Sequence, residues 1–143
     1  MLLNVSYKDK EVTRKIDTEL GKAFPLLERF KMHGIGSPKL ILTETSIQIS
    51  SLMNLDNNRN VCNIEMRPKG IIVGFRSKLN SYALIIPYYK LVIYKGKSRE
   101  YAIYKDDYFV KFEADAKDEN VHNFIKKLIG AKNKVTPDRL EDL

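Results

Sequence analysis

The sequence predicts an α+β fold that is mostly antiparallel β, with a packing helix near the C-terminus and a helical extension at the N-terminus. Three observations predict it. Between residues 38 and 113, apolar residues alternate in short runs separated by turn-forming residues at intervals of about 8–12, the mark of an antiparallel sandwich or barrel. Before and after that stretch the apolar spacing changes to three and four residues, the helical period. The chain has 143 residues, the length of one domain, and such a chain buries about 68–70% of its unfolded surface. It needs neither disulfide nor metal to make a core.

The N-terminal extension spans residues 1–37. Ile16, Leu20, Ala23, Phe24, Leu27 and Phe30 recur at helical spacing, with Asp17 and Thr18 as a plausible N-cap. Pro25 interrupts the run, either kinking the helix or opening a second one from Leu26 to Met32; Gly34 and Gly36 end it. Residues 2–16 also alternate at Leu3, Val5, Tyr7, Val12, Arg14 and Ile16, so a hairpin competes there.

The β-region is expected over residues 38–113, with about seven strands. Leu40–Leu42 and Ile47–Ile49 flank a polar turn, Thr43-Glu44-Thr45-Ser46. Asn54–Asn60 is the most loop-like run, rich in side chains that bond their own backbone. Strands follow at Val61–Met66, Ile71–Arg76, Tyr82–Ile86, Lys90–Tyr94, Glu100–Tyr104 and Tyr108–Glu113. Asp115 or Asp118 then caps a helix with the apolar stripe Val121, Phe124, Ile125, Leu128 and Ile129, closed by Gly130. Residues 131–143 read as a tail, and no linker divides the chain, so one domain is expected.

Two segments carry a family resemblance: Leu42-Thr43-Glu44-Thr45-Ser46-Ile47-Gln48-Ile49, similar to an opening hairpin, and Ile85-Ile86-Pro87-Tyr88-Tyr89-Lys90-Leu91-Val92-Ile93. With the final helix they resemble the pleckstrin-homology-like superfold, especially its bacterial and GRAM-type members, over residues 38–130. The resemblance implies two nearly orthogonal sheets forming a barrel, with the helix plugging one end. Eukaryotic members usually carry a tryptophan in that helix. This chain has none, and Phe124 is the residue expected to fill its place. Their phosphoinositide binders use bases around the first hairpin turn; the turn here has none, which argues against inherited inositol-phosphate binding.

The net charge of +7 is unevenly distributed. Residues 67–99 hold eight Lys/Arg and no acid, more than the whole net charge. Such a field draws phosphates, acidic lipids or acidic proteins. With turns alternating between the ends of a meander, Arg76, Lys78, Lys95, Lys97 and Arg99 are expected to gather at one end as the ligand-binding surface. Arg67, Lys69 and Lys90 fall at the other.

The expected function is therefore a non-enzymatic binding module that contacts an acidic protein or an anionic headgroup or lipid surface. Two alternatives stand beside it. Tyr88, Tyr89, Tyr94 and Tyr101 among these bases offer stacking platforms for single-stranded nucleic acid. A homodimer or other homo-oligomer using a strand edge or the N-terminal helix is the third. No catalytic residues, metal site or cofactor are expected. His33 and His122 lack further ligands at metal spacing, and Asp106-Asp107 and Asp118-Glu119 read as solvated caps. Cys62, alone of its kind, reads as a buried inert thiol. No apolar run approaches the ~20 residues that span a bilayer, and a cytoplasmic location is expected.

Overall fold

The computed structural model describes residues 1–53, 60–77, 79–96 and 99–135. The chain opens with strand β1 (Leu2–Asn4), helix α1 (Lys10–Leu20) and helix α2 (Leu26–Lys31). Strand β2 (Leu40–Thr45) and helix α3 (Ile47–Met53) follow. Next come β3 (Val61–Arg67), β4 (Gly70–Ser77) and β5 (Asn80–Pro87), then a 3-10 turn at Tyr88–Lys90. Strands β6 (Val92–Lys95), β7 (Glu100–Lys105) and β8 (Tyr108–Glu113) precede helix α4 (Glu119–Val135).

All the pairings are antiparallel, and the order is β1-β5-β4-β3-β2-β8-β7-β6. Strand β2 belongs to both halves: Leu40 and Ile41 pair with β3, whereas Leu42, Glu44 and Thr45 pair with β8. The register shifts between Leu42 and Glu44, a bulge that bends the strand. Eight strands form where about seven were expected: Ile47–Ile49 drops out of the set, and the N-terminal alternation delivers strand β1 against β5. The expected barrel is not closed by backbone pairing, since β1 and β6 have no described partner on their outer sides. A Lys90–Asp106 ion pair of 3.8 Å links the segment after β5 to the β7–β8 turn.

The main core lies on the inner faces. Cys62, Ile64 and Met66 of β3, Ile71, Val73 and Phe75 of β4, and Ile103, Val110 and Phe112 of the second sheet are buried there. Helix α4 adds Val121, Phe124, Ile125 and Leu128 to the same cluster. Phe124 thus stands in the core, as expected. The helix continues past Gly130 to Val135. An exposed helical glycine costs only about 1 kcal/mol relative to alanine, too little to end a helix whose inner face continues at the half-buried Ala131.

Three further local expectations give way. Helix α1 starts at an Asp9 N-cap, whose carboxylate accepts from the Glu11 N–H at 2.9 Å, and ends at Gly21 with φ 80°. A cap at Asp17 or Thr18 is therefore not used. Thr43–Thr45 are strand, not turn, and Ile47–Ile49 are helix, not strand. A spacing of two fits the strand period, but Ile49 is buried with Met53, four residues on, while Ile47 is exposed, as a helix places them. Finally, Leu27 and Phe30 point outward although their spacing continues the apolar face of α1; Pro25 starts a new helix with a new orientation. Most of the predicted Asn54–Asn60 loop, and residues 136–143 of the predicted tail, lie outside the described residues.

Candidate functional site: a basic groove on the outer face of the first sheet

Strand alternation puts Val61 and Asn63 of β3, Ile72, Gly74 and Arg76 of β4, and Ser81, Ala83 and Ile85 of β5 on the face away from the main core. Helix α1 covers part of that face. Its Leu20 is fully buried with Ala83 and Ile85, and Ile16, Leu3, Val5 and Ile72 pack around them. Leu20 comes so close to the sheet because Gly70 lies beneath it. A Cβ on Gly70 would stand 2.6 Å from Leu20 Cδ2 and would also collide with the Ile86 carbonyl.

Beside the helix the described residues leave the face uncovered, and it forms a groove of about 860 Å³. Asn63, Gly74 and Ala83 pair side by side across three strands and form its floor. Val5, Val61 and Ile72 give it apolar walls. The floor is low at Gly74, where a Cβ would come within 3.0 Å of Asn63 Oδ1. Ser37 is held in place on the rim, its hydroxyl donating to the Pro38 carbonyl at 2.8 Å and accepting from the Ile64 N–H at 2.8 Å. Among the described residues Lys39 and Arg76 are the groove's only charged lining, and no carboxylate lines it. Both are exposed, and neither makes an ion pair among the described residues.

The predicted basic group divides over the two sheets. Arg76 lines the groove in β4. Lys95 and Arg99 flank the β6–β7 turn in the second sheet, where the Lys95 ammonium lies 5.9 Å from the Tyr101 ring centroid and Arg99 meets Asp115 at 3.6 Å. Strands β3, β2 and β8 stand between β4 and β7, which is about 19 Å along the sheet at about 4.8 Å per strand. Lys78 and Lys97 lie outside the described residues. Lys39, which sequence reasoning passed over, joins Arg76 through register alone: it precedes Leu40, the partner of Cys62, and so falls beside Asn63.

The tyrosines divide as well. Tyr88 is buried, with its hydroxyl donating to the Arg67 carbonyl at 3.1 Å, and burial pushes its pKa up to about 12. Tyr101 is also buried, and burial raises its pKa. Neither presents a ring face for stacking; Tyr89 and Tyr94 are exposed. His122 joins Tyr101 to the start of α4. Its Nε2 lies 2.7 Å from the Asp115 carbonyl, which only accepts, so Nε2 carries the proton. Its Nδ1 then accepts from the Tyr101 hydroxyl at 2.8 Å when the ring is neutral. Among the described residues no three His, Cys, Asp or Glu side chains stand together as a metal site, and no helix is long and apolar enough to cross a membrane.

No family model, no curated protein and no solved structure matches the chain.

Proposed function

We propose that the chain is a non-enzymatic binding module with a pleckstrin-homology-like fold, and that its outer groove holds an acidic segment of a partner protein. The observation that carries this reading is a concave, apolar-walled groove whose described lining contains two cations, Lys39 and Arg76, and no acid. The fold part is supported by a meander that bends at β2 into two sheets and ends in a helix packed on their common core.

Register supports an extended ligand. Lys39 and Arg76 stand two strands and two residues apart, which is about 12 Å between Cα atoms at about 4.8 Å per strand and 3.4 Å per residue. In an extended peptide, same-face residues four apart are separated by about 13 Å. Two carboxylates at that spacing reach both cations, while the residue between them lies over β3 beside Asn63. Arg76 is the member of the predicted basic group that this reading keeps. Lys95 and Arg99 bear on it only for a ligand long enough to cross the second sheet.

The test is fluorescence anisotropy of a labelled peptide with two glutamates four residues apart, set against the same peptide with glutamines. The glutamate peptide should bind more tightly, and Lys39→Ser or Arg76→Ser should each weaken it by about tenfold, the worth of one charge-assisted hydrogen bond. Gly74→Val should block the floor. Equal binding of the two peptides, or indifference to all three substitutions, would sink the reading. Preferential binding of inositol phosphate or of single-stranded DNA at the same residues would move the groove to that ligand.

A further inference from the structure

Helix α2 carries three large apolar side chains in the open: Leu26, Leu27 and Phe30 are 81%, 66% and 82% exposed. At about 100° per residue, Leu26 and Phe30 stand about 40° apart and Leu27 falls within the same stripe. The stripe is held outward by what anchors the other side. Phe24, Met32 and Ile35 pack against the main core. Arg29 Nε donates to the Phe24 carbonyl at 2.8 Å, and the Gly34 N–H donates to the Arg29 carbonyl at 2.9 Å. His33, at φ 59°, turns the chain out of the helix.

Three lysines lie in segments that adjoin α2 or its ends. Lys22 leaves α1 just before it. Lys69 lies in the β3–β4 turn, which is fixed to the end of α1 by a 2.8 Å bond from its own N–H to the Leu20 carbonyl. Lys127 of α4 reaches the carbonyls of His33 and Gly34 at 3.4 and 3.2 Å. Lys22 and Lys69 make no ion pair among the described residues. Three acids nearby are held by other bases: Glu28 by Lys31 at 4.0 Å, and Asp17 and Glu65 by Arg67 at 3.3 and 2.7 Å.

We propose that this face docks on an anionic lipid bilayer. Leu26, Leu27 and Phe30 enter the boundary between headgroups and acyl chains, and Lys22, Lys69 and Lys127 meet the lipid phosphates. Charge complementarity selects an anionic occupant. The shape selects a bilayer over a folded protein, because the three side chains project from a one-and-a-half-turn helix and line no cavity described. A fluid interface takes such side chains without needing a matching surface. The face shares no residue with the groove, so either reading can fail alone.

The chain contains no tryptophan, so Phe30→Trp places a single indole on the face. That variant is mixed with vesicles of phosphatidylcholine alone or with about 30% phosphatidylglycerol, an anionic content that attracts basic segments. A blue-shifted emission and co-sedimentation are expected, about tenfold stronger on the anionic vesicles and weakened by salt. Serine at positions 26, 27 and 30 together should abolish co-sedimentation of the otherwise native chain. Lys22→Ser with Lys69→Ser should reduce the preference for anionic lipid several-fold. These side chains are exposed, so circular dichroism and melting should be unchanged. Unchanged emission on both vesicles, or co-sedimentation that survives the triple serine variant, overturns the proposal. So does a blue shift that appears without lipid as the chain dimerises on sizing, which gives the face to a second copy.

Discussion

Cys62 lies on the inner face of β3 opposite Leu40, and burial pushes its thiol up to about 12. Its ordinary value is 9.0, so between pH 9 and 12 the folded state holds a proton that the unfolded state releases. The stabilisation is complete below pH 9 and is lost as pH rises toward 12, by at most about 1.4 kcal/mol per pH unit. Denaturant midpoints should therefore fall between pH 8.5 and 10.5, and Cys62→Ala should flatten that fall while lowering stability below pH 9. Tyr88, pushed up to about 12 from 10.0, contributes with the same sign at the upper end of the range. An apolar-alternating run around one cysteine made this burial legible in the sequence. The Tyr101–His122–Asp115 chain was not, because its members come from β7, α4 and the segment between β8 and α4 and meet only after the second sheet has formed.

At the level of elements, strong periodicity was readable and dual periodicity was not. Strands β3, β4, β5, β7 and β8 lie within one or two residues of their predicted bounds, since each has several inward residues to fix its register. Ile47 and Ile49 offered only two, too few to separate a strand from α3. The second layer on the outer face was hidden too, because only the docked position of α1 shows that Leu20 needs Gly70 beneath it. Gly70→Ala would force its Cβ against backbone on one side and Leu20 on the other. Overpacking of this kind costs about 1–3 kcal/mol, and thermal or urea denaturation should show a loss of that size. Gly34→Ala provides a control: no heavy atom lies within 4 Å of its Cβ, so only its φ of 95° resists the change.

The whole molecule carries two unequal apolar clusters. The larger fills the inner faces and takes in α4; the smaller has only Leu20, Ala83 and Ile85 at its centre, beneath α1. Local opening free energy follows buried apolar contact, so α1 should detach before the sheets part. Native-state hydrogen exchange should find the α1 amides opening at a lower free energy than those of β3, β4 and β5. Equal protection in both sets would mean that the outer layer unfolds together with the core. The charge excess of residues 67–99 was visible in composition, but its division was not. Which bases become neighbours depends on strand order, and strand order places Arg76 beside Lys39 from outside that stretch.

The bend in β2 has a consequence for how the chain reaches this state. One edge of β2 is matched within about twenty residues by β3, but Thr45 waits for Val110. Non-local pairing of this length slows folding, because loop closure comes before any gain from contact. During synthesis the second edge of β2 stays open until β8, with Val110 opposite Thr45, has been made. Strand β8 is therefore the element on which the joining of the two halves depends. A chain stopped before it would retain the β1–β5 half with an unpaired, aggregation-prone edge.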